Sequence, residues 1–125
     1  MEQENVTGKI IECAFKVHNT LGAGFLEKVY ERAFKLELET SGFKVEIQVP
    51  LIVYYNDQPV GNYFADLLIN DEIVVELKAV NTINHAHEIQ LVHYLNAIRK
   101  EFGLLINFGS SIHVKRKYRH YTKTR

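Results

Sequence analysis

The chain has 125 residues, of which 46% are hydrophobic and 24% charged, with fifteen Lys+Arg against fifteen Asp+Glu. That is the composition of one soluble globular domain, and it excludes a disordered acidic or basic tract. The longest nearly continuous apolar stretch, Val49 to Tyr55, is too short for a transmembrane helix, and the acidic Met1–Asn5 start does not read as a signal peptide. Cys13 stands alone, so no disulfide framework or cysteine zinc site is expected, and the cytoplasm is the default location.

Asn5 and Thr7 offer N-caps for a first helix, on which Ile10, Ala14, Val17 and Leu21 recur at helical spacing. Cys13 on this helix reads as a buried structural thiol rather than a nucleophile. Gly22-Ala23-Gly24 breaks the helix. A second begins near Phe25, carries Leu26, Val29, Ala33 and Leu36, and stops at Ser41-Gly42. From Phe43 the period becomes that of a strand: Val45, Ile47 and Val49 alternate with polar partners as far as Tyr55, and Asn56-Asp57 turns the chain. A second strand runs from Val60 to Ile69, and a third from Ile73 to Ala79. Pro50 and Pro59 cannot donate to a ladder, which puts the first strand and the start of the second at a sheet edge.

Asn81 to Asn84 cap a third helix reaching about Lys100, with Leu91, Leu95, Ile98 and Phe102 inward and Gly103 as its stop. Leu104 to Phe108 reads as a strand buried on both faces, and Ile112 to Lys115 as a last strand. The order α-α-β-β-β-α-β-β predicts a mixed sheet flanked by helices, in one domain over residues 1–117 followed by a basic tail at 118–125. Six of the fifteen basic residues lie in the last eleven positions, leaving nine against fifteen acidic residues, a net −6, on residues 1–114. Such a tail is either a solvated end or a phosphate contact; Tyr118 and Tyr121 among its charges favour nucleic acid, since aromatics stack on bases.

The chemistry concentrates in the central hairpin. Glu76 and Lys78 share one face of their strand. A two-residue Asn70-Asp71 turn would set Asp66 against Val75. A three-residue turn including Glu72 pairs Ile69 with Ile73 and sets Asp66 opposite Glu76. The second register is expected, because the first divides the polar residues between both faces. Facing carboxylates repel unless one is protonated or a cation lies between them, and hard oxygen ligands suit Mg²⁺ or Mn²⁺. Lys78, beside such an ion, would orient a water, accept its proton or stabilise phosphate charge. Gln90 and Tyr94 share a face of the following helix, and Glu27 and Tyr30 a face of the second. A solvated hairpin and an acid placed favourably at a helix start are the plain structural readings of the same residues. His85, His87 and His93 do not make a joint ion site, since 85 and 87 stand about 200° apart on a helix; His85 is the one expected to approach the site.

Gly24, Glu27 and Tyr30 match the GxxExxY pattern, Asp66 and Glu76-Leu77-Lys78 the PD-(D/E)XK core, Gln90 and Tyr94 a QxxxY element, and Gly103 to Gly109 the closing strand. On these residues the chain, over roughly 5–117, resembles the GxxExxY family of the PD-(D/E)XK nuclease superfamily. The resemblance implies a restriction-endonuclease-like αβββαβ core (α/β, mixed sheet) with an extra N-terminal helix. It implies Mg²⁺ held by Asp66, Glu76 and the Leu77 carbonyl, with Glu27 as a further acidic ligand. Lys78 would be the catalytic lysine, and Gln90 and Tyr94, with Tyr30, would lie on the substrate side. Ala65 stands where the superfamily's name has Pro. The implied function is Mg²⁺-dependent phosphodiester hydrolysis of nucleic acid, DNA first. The alternative is a non-catalytic nucleic-acid-binding or assembly module that keeps the fold. A homodimer or a partner protein is left open, and no membrane is expected.

Overall fold

The computed structural model describes residues 2–119, with side chains from Asn5 onward. Its elements are α1 (Glu2–Leu21), α2 (Glu27–Thr40), β1 (Val45–Tyr55), β2 (Gln58–Ile69), β3 (Ile73–Lys78), α3 (His85–Ile98), β4 (Phe102–Phe108) and β5 (Ile112–Tyr118). The strands form one sheet in the order β1-β2-β3-β4-β5, antiparallel except for β3 and β4, which run parallel and are joined by α3. This is the expected mixed α/β sheet of the restriction-endonuclease-like kind. No helix among the described residues is long and apolar enough to cross a membrane.

Two apolar layers hold the sheet. On one face Ile10, Ala14 and Val17 of α1, with Tyr30, Phe34 and Leu38 of α2, cover Leu67, Ile69, Val75, Leu77, Leu104 and Ile106. On the other, Leu91, Tyr94 and Leu95 of α3 pack on Leu68, Val74 and Leu105. β4 is buried along its whole length, as an all-apolar central strand requires. Cys13 is buried, its sulfur 3.4 Å from the Ser41 hydroxyl.

Several expectations are corrected. The helix α1 begins at Glu2, so Asn5 and Thr7 lie inside it rather than capping it, and Thr7 is buried. The inward stripe of α2 is Tyr30, Phe34 and Leu38; Leu26 and Leu36 point outward, 78% and 66% exposed. Phe108 decides this, because Tyr30 stacks on its ring at 4.7 Å and Phe34 meets it edge-on at 6.0 Å. The helix α3 ends at Ile98, capped by Arg99 in the left-handed region at φ 58°. Phe102 and Gly103 therefore belong to β4. Gly103 lets α3 approach closely: a Cβ there would lie 3.1 Å from both Leu91 Cδ1 and the Val74 carbonyl. Lastly, β5 continues to Tyr118, and Arg119 pairs with Glu101. Lys115, Arg116 and Lys117 are thus strand residues, with Lys117 on Glu88 at 2.7 Å, while Tyr121, Lys123 and Arg125 of the expected tail lie outside the described residues.

Both proline expectations hold. β1 is an edge strand, and β2 pairs with β3 only from Leu67 onward, so the Pro59 end of β2 has no neighbour on that side. The outer half of the β1–β2 hairpin therefore projects beyond β3. A two-residue turn, Asn56 and Asp57 at φ 49° and 62°, closes it between Tyr55 and Gln58.

Candidate active site

The register that matters is the expected one. Ile69 pairs with Ile73, Leu68 with Val74 and Leu67 with Val75, after which the ladder stops. Asp66 and Glu76 come next, and there side chains replace ladder bonds. The Asp66 amide donates to Glu76 Oε2 at 3.0 Å, and the Leu77 amide donates to Asp66 Oδ2 at 2.7 Å. Each carboxylate thus satisfies a main-chain N–H of the opposite strand, which holds both on the parting end of the hairpin.

Glu76 is almost fully buried, and burial, followed by the charge of Asp66, pushes its carboxyl up to about 8. The Asp66 amide, then Lys78, pull in the opposite direction. Glu27 arrives from another element, at the first turn of α2. It stays open to solvent on one side, yet desolvation by its surroundings lifts its pKa, opposed by Lys78 and by a hydrogen bond from the Ala79 amide. The charge of Lys78 thus acts on Glu76 and Glu27 together. From α3, burial pushes the Tyr94 hydroxyl up to about 12, reinforced by Glu76, Tyr63 and Asp66. Tyr94 thus stands in the field of the acidic pair, with Gln90 one turn earlier on the same face. Of the two histidines in the first turn of α3 it is His87, which closes the capping box on Asn84, and not His85, whose charge acts on Glu27.

Two polar residues without an assigned role in the motifs complete the arrangement. Glu31, one turn after Glu27, is only 5% exposed and accepts from Gln48 Nε2 at 2.9 Å; the same amide lies 3.4 Å from Asp66 Oδ1. Gln48 adopts φ 50° inside β1, where the pairing with β2 skips the step opposite Asp66. At this step the inward side chains change layers: Val45 and Leu67 join the core under α1 and α2, whereas Val49, Leu51 and Ala65 join the one under α3. Both residues were readable in principle, Glu31 by its i+4 spacing from Glu27 and Gln48 by its position across from Asp66.

The main chain beyond the lysine is moored to β4. Asn107, buried, accepts from the Val80 amide at 3.0 Å and donates to the Val80 carbonyl at 2.9 Å. Gly109 is needed beside it, since a Cβ would sit 2.8 Å from that carbonyl.

Tyr30 does not reach this site, which corrects its place on the substrate side. It is fully buried, its hydroxyl donates to the Gly22 carbonyl and accepts from the Phe25 amide at 3.3 Å, and its ring stacks on Phe108. It fixes the glycine loop from which Glu27 emerges. Tyr30→Phe keeps the stack and loses the hydroxyl bonds, so the urea midpoint should fall by an amount equivalent to about 1 kcal/mol with oligonucleotide affinity unchanged. Lost affinity at unchanged stability would return Tyr30 to the substrate side.

The donor set is that of a hard cation: carboxylate oxygens, in an acidic pair whose mutual repulsion a divalent charge would relieve. Among the described residues no three carboxylate or imidazole side chains already close on one ion-sized point. Asp66 and Glu76 are engaged with main-chain amides instead. The chemistry of the residues fits Mg²⁺ or Mn²⁺.

Comparison with known proteins bears on this geometry. The sequence profile of the PD-(D/E)XK nuclease superfamily matches residues 4–120. The crystal structure of SSO0001 aligns with a TM-score of 0.62 at 18% identity, over 76% of this chain and 50% of that one. That likeness concerns the fold, and the chain spans half the length of that protein. No curated protein gives a significant match.

Proposed function

The chain belongs to the PD-(D/E)XK nuclease superfamily, and on that premise we propose that it hydrolyses phosphodiester bonds of nucleic acid, DNA first, with a divalent cation, Mg²⁺ or Mn²⁺. Gly24, Glu27 and Tyr30 place it, in this reading, with the GxxExxY members. Asp66, Glu76 and the Leu77 carbonyl hold the ion, with Glu27 as the further acidic ligand. A cation bound there supplies a nucleophilic water at neutral pH and offsets charge on the leaving oxygen. Lys78, whose charge acts on both Glu76 and Glu27, neutralises phosphate charge in this reading and holds the water that attacks. Gln90 and Tyr94 support the scissile phosphate from α3. The observation that carries the reading is the exchange of hydrogen bonds by which Asp66 of β2 and Glu76 of β3 hold main-chain amides at the end of one broken ladder, with the charges of Lys78 and of Glu27 from α2 acting on Glu76.

The direct test is a cleavage assay on linear single-stranded and duplex DNA and RNA with Mg²⁺ or Mn²⁺. Lys78→Ala should lower the rate by about 10²-fold or more at unchanged folding. Wild-type protein that binds these substrates but cuts none would establish the non-catalytic binding module instead.

A further inference from the structure

Beyond the carboxylates, the described surface carries a groove of about 750 Å³ between α3 and the projecting half of the β1–β2 hairpin. That is the size class of pockets that enclose a nucleotide-sized ligand. Tyr54 and Tyr63 line it from the hairpin, and Gln90, His93, Tyr94 and Arg99 from α3. No carboxylate is among its lining residues. The rings of Tyr63 and Tyr94 meet at 5.6 Å, and Tyr94 is the residue that feels the charges of Glu76 and Asp66. Tyr94 also packs in one cluster with Ala65 and Val74, on the strands that carry Asp66 and Glu76, while Arg99 lines the groove just past the last turn of α3.

We propose that this groove binds unpaired nucleotides, so that the strand to be cut reaches the carboxylates single-stranded, with bases stacked on the tyrosines and the backbone drawn toward Arg99. The inference deepens the nuclease reading and rests on it for the direction of the strand. Two observations select this occupant. Arg99 is the one lysine or arginine among the lining residues, too few cations to hold the paired phosphate backbones of a duplex. Stacking needs only the π-face that every unpaired base offers, and the groove supplies aromatic rings together with a cation. The hairpin can present those rings because the outer half of β2 has no partner beyond β1.

The test is fluorescence anisotropy in EDTA, which separates binding from cutting, with short labelled oligothymidylate, oligouridylate and a blunt duplex of equal length. Single strands of at least one sugar type should bind about tenfold or more tightly than the duplex. Tyr54→Ala and Arg99→Gly should each weaken that binding by about tenfold. Both should fold, because Tyr54 is 61% exposed and Arg99 already holds a backbone angle that glycine prefers. Tyr55→Ala, one residue along β1, 69% exposed and outside the groove lining, should bind like wild type. Equal affinity for duplex and single strand, or groove variants indistinguishable from wild type, overturns the proposal. So does a result in which those variants change only self-association in sedimentation, which would make the groove a contact between copies. Groove-dependent binding without cleavage under any divalent ion would instead fault the nuclease reading, whereas Lys78-dependent cleavage without strand preference would fault the groove alone.

Discussion

Asp66→Asn should lower divalent-metal-dependent cleavage by about 10³-fold or more while leaving the folded protein as stable as wild type or more so. The asparagine keeps the size of the side chain and an oxygen to accept from the Leu77 amide, a bond of 2.7 Å in the wild type. It loses the negative charge that, after burial, is the largest influence raising the Glu76 carboxyl. Removing that charge relieves repulsion in the resting protein and, at the proposed metal site, takes away a hard anionic ligand. Activity and stability therefore move in opposite directions, which a merely structural role for Asp66 would not produce. Cleavage rates paired with urea unfolding check both. Activity within tenfold of wild type would remove Asp66 from the metal site.

The second large effect is a pH dependence of stability in metal-free protein. Glu76 has an ordinary value of 4.5 when unfolded and about 8 when folded, so the native state binds this proton more tightly. The associated stabilisation is complete below pH 4.5 and is lost as pH rises toward 8. For a group this buried the loss is of the order of a few kcal/mol. Urea midpoints in EDTA should accordingly fall across that range. Glu76→Gln, which still offers an oxygen to the Asp66 amide, should flatten the curve and raise the midpoint at the alkaline end. Added Mg²⁺ or Mn²⁺ should stabilise the wild type there and do little for the variant. Parallel curves for the two proteins would place the carboxyl's proton elsewhere.

Much of this arrangement was legible in residue order because strand alternation is a strict rule. A turn of three rather than two residues was the only choice that kept Asp66, Glu76 and Lys78 on one face, and Ile69 does pair with Ile73. The uninterrupted apolar run of β4 likewise announced its central position. What sequence reasoning missed was decided by contacts distant along the chain. The inward face of α2 follows the ring of Phe108, about seventy residues further on, so the Leu26–Leu36 stripe was a misleading local signal. Nothing in the neighbourhood of Gln48 announces a left-handed residue within a strand; the broken pairing opposite Asp66 is where it occurs.

The double hydrogen bond between Asn107 and Val80 has a consequence for how such a domain diversifies. Because the backbone two residues past Lys78 is tied to the deepest strand, Lys78 takes its position from the interior of the protein and not from the connector that follows. Insertions or deletions between Asn81 and Asn84 would then reshape the surface around the proposed site while the lysine keeps its place in the sheet.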